Sequence, residues 1–118
     1  MLPLFQRLKS DKAIETIFKE GKSLFAYPIK MVYCKLPADG ATFNFYAGVS
    51  VSKRNFKRAV DRNRIKRQMR ESIRLNLMKN PVEMNENYAI MVIYVSKEKL
   101  DYRIIDKTMA KLLKKVNI

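Results

Sequence analysis

Histidine and tryptophan are absent from this chain of 118 residues, and cysteine occurs once, at Cys34. The lack of imidazole excludes a His general base, a His-paired nucleophile and a His-ligated metal. One thiol makes neither an internal disulfide nor a multi-cysteine zinc site. Its place in a hydrophobic, strand-like run predicts a buried core thiol and points to a reducing compartment. With three glycines and four prolines, no linker-like stretch divides the sequence, and no period of about 20 to 50 residues repeats. The longest apolar run, Ala89 to Val95, is far below the roughly 18 residues of a membrane span. The N-terminal Met1 to Phe5 reaches Arg7 and Lys9 too soon for a secretory signal. The expectation is one soluble cytoplasmic domain over residues 1–118, without a membrane partner. Acid is scarce as well: 11 Asp and Glu stand against 25 Lys and Arg, a net charge of +14. Such an excess repels itself in a compact state and calls for an anionic partner.

The pattern that is present predicts alternating helices and strands. Ser10 and Asp11 suit a helix start, Ile14, Ile17 and Phe18 share a face, and Gly21 suits its end, giving a helix over 11–20. A strand is predicted from Leu24 to Leu36 and a turn at Pro37-Ala38-Asp39-Gly40. Phe43, Phe45, Ala47, Val49 and Val51 then alternate with Thr42, Asn44, Tyr46, Gly48 and Ser50, a second strand antiparallel to the first. Ile65, Met69, Ile73 and Leu77 predict a long helix over 57–79, with Asn80-Pro81 as the stop. Tyr88 to Val95 carries no charge and suits a central strand. Asp101 suits the cap of a last helix with Ile105, Met109, Leu112 and Val116 inside. The order α-β-β-α-β-α, with strands two and three joined through a helix, implies an α+β fold with a mixed sheet and a βαβ crossover. Met31, Met69, Met91 and Met109 fall on apolar stripes and are expected to fill the core.

Residues 53 to 74 concentrate the charge. Lys53, Arg54, Lys57, Arg58, Arg62, Arg64, Lys66, Arg67, Arg70 and Arg74 face only Asp61 and Glu71, which accounts for eight of the fourteen net charges. Wound at about 100° per residue, Ile65, Met69 and Ile73 form one stripe. Lys57, Arg64, Arg67 and Arg74 lie opposite, with Arg62, Lys66 and Arg70 along the border. A merely solvated face mixes signs, because acid–base pairs one turn apart each add a few tenths of a kcal/mol and like pairs cost as much. This segment forgoes most of those pairs. Seven of its ten cations are Arg, whose planar fork suits phosphate and stacks on bases. Nucleic-acid contact is therefore expected.

The run Gly48-Val49-Ser50-Val51-Ser52-Lys53, followed by Ala59-Val60-Asp61-Arg62-Asn63-Arg64-Ile65-Lys66-Arg67 and Arg70-Glu71, closely resembles the signature of the bacterial ribonuclease P protein subunit family. Arg62-Asn63-Arg64 is its most specific part, and Phe18 with Gly21 and the apolar strand before the last helix extend the likeness over nearly the whole chain. The resemblance implies a two-layer α-β sandwich with a left-handed crossover, of the ribosomal protein S5 domain 2-like type. It implies a protein that binds a catalytic RNA subunit through the Arg-Asn-Arg helix and the adjoining loop, here Lys53 and Arg54, with Asn63 as an amide reader. It also implies that the 5′ leader of precursor tRNA lies in a cleft between the first helix and the sheet, lined by Ile14, Phe18 and Tyr33 or its neighbours on the first strand. In that family the RNA hydrolyses the phosphodiester with Mg2+, and the protein strengthens substrate and metal binding.

The residues themselves leave other readings open: for Phe18, core packing; for the chain, a ribosomal-protein-like structural RNA-binding module, a DNA-binding protein or a stand-alone ribonuclease. No carboxylate cluster or His base is visible for a self-sufficient nuclease, so no catalytic residue, protein metal ligand or small-molecule substrate is assigned. If about five phosphates are neutralised, RNA affinity falls by about a few hundredfold between 50 and 200 mM salt. A binding isotherm that ignores salt would remove the basic segment from the contact.

Overall fold

The computed structural model describes residues 6–7, 11–36, 45–79 and 87–116. In chain order the elements are β1 (Gln6–Arg7), α1 (Asp11–Glu20), β2 (Lys22–Ala26), β3 (Ile29–Leu36), β4 (Phe45–Val51), α2 (Ala59–Lys79), β5 (Asn87–Tyr94) and α3 (Tyr102–Val116). The strands form one sheet in the order β1-β4-β5-β3-β2. β4 runs parallel to β1 and β5, while β3 runs antiparallel to β2 and β5, so the sheet is mixed. The uncharged strand β5 is central, as its composition predicts.

Alternation along the strands sorts side chains onto two faces. Ile29 and Met31 of β3, Ala47 and Val51 of β4, and Tyr88, Ile90, Val92 and Tyr94 of β5 enter the larger cluster. There they meet Ile65, Met69, Ile73 and Leu77 of α2 and Ile105, Met109, Leu112 and Val116 of α3. The sheet with α2 and α3 is the predicted two-layer sandwich. On the opposite face, α1 is the one helix among the described residues: Ile17 packs with Val32, Ala89 and Met91, with Ile14, Cys34, Tyr46 and Ile93 at the margin. Met31, Met69, Met91 and Met109 are all buried. Cys34 is only half-buried, because α1 covers just part of that face; burial still pushes its thiol pKa up, helped by Glu20.

Three sequence expectations change. The strand drawn from 24 to 36 is two, β2 and β3, folded back on each other at Tyr27-Pro28, whose peptide bond is cis. Pro28 has no N–H to continue a ladder, and it forms the turn while its carbonyl accepts from Val95 N at 2.9 Å. β3 and β4 run in opposite directions but do not pair, since β5 stands between them. The helix predicted from 57 starts at Ala59, which leaves Lys57 and Arg58 in the lead-in. The Pro37 to Gly40 turn and the Asn80-Pro81 stop lie outside the described residues.

Gly21 ends α1 by donating its N–H to the Ile17 carbonyl at 2.8 Å. The helix end is pressed against β3, so an added Cβ would collide with that carbonyl and stand 2.8 Å from the Tyr33 carbonyl. Both obstacles are backbone atoms. Gly21→Ala is expected to lower unfolding stability by about 1 to 3 kcal/mol, the cost of overpacking, read as a lower urea midpoint. An unchanged midpoint would mean that α1 can lift without loss.

Candidate nucleic-acid interface

Between β4 and α2 the chain makes a short loop whose shape is set by Ser52. Its hydroxyl accepts from Arg54 N at 3.0 Å and its carbonyl from Phe56 N at 3.1 Å. Phe56 is buried, its ring 5.9 Å from that of Tyr94, and Asn55 reaches the Val95 carbonyl at 3.5 Å. Burying one Phe contributes about 1.5 to 3 kcal/mol. That anchor holds the loop on the core while Lys53, Arg54, Lys57 and Arg58 stay exposed on either side of it.

Arg62 turns back over this loop: its Nη1 donates to the Phe56 and Lys57 carbonyls, each at 2.9 Å. Its first task is therefore to fix the approach to α2. Asn63, Arg64 and Arg67 are exposed on the helix side away from the buried Ile65 and Met69. Lys66 and Arg70 are half-buried at the margin of that buried stripe, as the helical wheel placed them. Arg74 is exposed but paired with Glu71, its Nε 3.2 Å from Oε2, and its Nη1 lies 3.4 Å from Met78 Sδ. That pairing holds the Glu71 carboxyl below the usual carboxylate range. The Arg74 charge is thus partly answered from within the helix, whereas no ion pair is found for Arg64 or Arg67 among the described residues.

The other flank of α2 meets α3. Ser72 Oγ and Asn76 Nδ2 both donate to Asp106 Oδ1, at 2.7 and 3.1 Å. Asp61 joins Lys99 at 2.9 Å; the Lys99 hydrogen bond, with Lys99, Arg58 and Arg64 as nearby positive charges, holds its carboxyl below the ordinary range. Asp61, Arg64 and Lys99 edge a cleft of about 530 Å³ lined also by Ile65, Gln68 and Leu100 to Tyr102. Asp101 caps α3 by accepting from Arg103 N at 2.9 Å. These carboxylates are tied to cations, hydroxyls and a helix end. Among the described residues none gather into a group able to hold a metal ion.

On the opposite face Ile14 is half-buried and Phe18 is 52% exposed. Phe18 is not a core residue; the fully buried position of α1 is Ile17. Tyr33 does not join them. It stands opposite Ile90 and packs with the larger cluster, on the α2–α3 side, because it shares the parity of Met31 rather than that of Val32. The strand residues packed on the α1 side include Val32, Cys34 and Tyr46, with Ala89, Met91 and Ile93 of β5. Tyr46 was legible in the period-two alternation of β4, on the face that also bears Gly48 and Ser50.

A family model described as Ribonuclease P matches residues 2–117. The chain belongs to the ribonuclease P protein family. The Ribonuclease P protein component of Porphyromonas gingivalis is 39% identical over 111 residues, covering 92% of this chain and 80% of that protein. The component of Clostridium botulinum is 34% identical over 113 residues and covers 95% of both chains. The solved RNase P protein from Thermotoga maritima superposes with a TM-score of 0.75 at 29% identity, covering 93% of this chain and 96% of the other. The mixed α+β fold is the one these ribonuclease P proteins have. Among the described residues no helix is long and apolar enough to cross a membrane.

Arg62 is the family-signature residue with a visible structural duty. Arg62→Ala is expected to cost about 1 to 2 kcal/mol, since charge-assisted hydrogen bonds are worth more than neutral ones but these are partly exposed. Arg62→Lys should not restore it, because one ammonium lacks the planar fork. Chemical denaturation checks both; full stability in Arg62→Ala would mean that Phe56 alone fixes the loop.

Proposed function

We propose that this protein is the RNA-binding protein subunit of a cytoplasmic ribonuclease P that removes the 5′ leader of precursor tRNA. The observation that carries the reading is the continuous set of exposed cations Lys53, Arg54, Lys57, Arg58, Arg64 and Arg67, on an anchored loop and the outer side of one helix. Phosphates of the catalytic RNA accept from these side chains, and Asn63 reaches the backbone or a base edge between them. Lys66 and Arg70 extend the contact along the helix margin, while Arg62 holds the loop in register and Arg74 contributes less because Glu71 shares its charge. On the other side of the sheet, unpaired leader nucleotides lie beside Phe18 and Ile14. Phe18 offers an open aromatic face, on which a base stacks irrespective of its identity. Ile14 adds apolar contact. The hydrolysis belongs to the RNA and its Mg2+, and the protein's part is to hold that RNA and the leader together.

Purified protein should leave precursor tRNA intact, and adding it to the catalytic RNA should restore cleavage at dilute magnesium. Cleavage by the protein alone, or an RNA indifferent to the protein, would overturn the proposal. Arg64→Ala combined with Arg67→Ala should weaken assembly and reduce the salt slope by about two, near one for each lost phosphate contact, with an unchanged melting temperature. Phe18→Ala should weaken binding of leader-bearing substrate more than binding of mature tRNA; equal losses would take the leader off α1.

A further inference from the structure

Among the described residues the sheet face that carries α1 is only partly covered, and strand register fixes what stands in the open. Phe25 of β2 is opposite Lys30 of β3, Lys30 is opposite Ile93 of β5, and Ile93 is opposite Ser50 of β4. Cross-strand partners share a face, so these four side chains form one row across the sheet. The row lies on the α1 side, because Leu24, Ala26, Ile29 and Met31, which alternate with Phe25 and Lys30, go to the larger cluster with α2 and α3. Phe25 is 62% exposed, Lys30 is exposed, and Ser50 and Ile93 are half-buried. β2 is an edge strand, so the row is open at the Phe25 end. At the other end β4 stops after Val51, and exposed Ser52, Lys53 and Arg54 follow.

We propose that Phe25 and Lys30 form a binding station for one unpaired nucleotide of the leader, the base stacked on the Phe25 ring and a phosphate at the Lys30 ammonium. The inference rests on the reading that an unpaired RNA strand lies on this side of the sheet, and it adds a contact outside the α1 groove. An aromatic ring and a cation directly opposed on neighbouring strands are close enough to engage base and phosphate of a single nucleotide. The row carries no carboxylate to repel the backbone, and Ser50 leaves room beside Ile93. From Phe25 and Lys30 the face leads past Ile93 and Ser50 toward Lys53 and Arg54, so a strand crossing it meets positive charge at both ends.

The test uses holoenzyme reconstituted with the catalytic RNA and precursor tRNAs whose leaders grow one nucleotide at a time. In the wild type one of the added nucleotides tightens binding through the station. Phe25→Ala should abolish that step, a loss of about five- to a hundredfold for stacking of one base, and Lys30→Ala should shrink the same step. Phe25→Trp should keep it. Because the chain has no other tryptophan, this variant's fluorescence should be quenched by leader-bearing substrate and not by mature tRNA. If Phe25→Ala equals wild type at every leader length while Phe18→Ala loses leader preference, the station is overturned and the proposed function stands. If both variants bind leader-bearing and mature tRNA as wild type does, leader binding on this face falls with it. A Phe25→Ala loss equal for mature tRNA would also overturn the station, marking an effect on assembly.

Discussion

Everything on the charged side of this protein depends on α2 being pressed onto the sheet by Ile65, Met69, Ile73 and Leu77. A helix with so many like charges within one turn of each other would not hold together on its own merits. Burying four large aliphatic side chains contributes about 6 to 12 kcal/mol as an upper estimate. Each like-charge neighbour costs only a few tenths. Packing wins by a wide margin, so cations such as Arg64 and Arg67 can stand on the outer side although few acids lie within a turn of them. The unfavourable electrostatics of the free protein are thereby stored on one surface, where an anionic partner relieves them.

The sheet acts as a partition. Its α2–α3 side is used for packing, and the buried Ser72 and Asn76 drawn inside there both donate to Asp106. Its α1 side is thinly covered, with a four-residue buried cluster and a margin of half-buried residues. One side of the sheet therefore supplies stability, and the other keeps apolar and aromatic surface within reach of solvent. The loop 52–58 leaves the end of β4 and enters α2, so it borders both regions. Phe56 ties that loop to Tyr94 of the central strand, which couples the position of the cations to the rigid middle of the sheet.

Much of this was legible in the residues, for identifiable reasons. The apolar stripe of α2 repeats four times and fixes which cations face out; the uncharged run of β5 marks it as central; Asp101 and Gly21 mark a helix start and a helix end by simple chemistry. The misreadings share one cause, strand parity and pairing. Tyr27-Pro28 lies inside what reads as one extended run; Pro28 is a local sign that the register shifts there, but not that the chain doubles back. Tyr33 then falls on the side facing α2 and α3, and Phe25 emerges on the side facing α1. Pairing partners are equally hidden, since an antiparallel neighbour in direction need not be a neighbour in hydrogen bonding. Arg62 shows a further limit: its residue type signals phosphate contact, while its first partners are two carbonyls a few residues upstream.

Strand β5 also dictates when the fold can exist. β3 and β4 are made early but share no ladder, and each lacks its inner neighbour until residues 87–94 have left the ribosome and slipped between them. Until then the arginine-rich segment is a nascent polycation with no sheet to lie on. Closure of the sheet thus waits for β5, a non-local pairing of the kind that slows the search for the native state. Before that pairing, the cations of residues 53–74 lack the packed scaffold that holds them in one row.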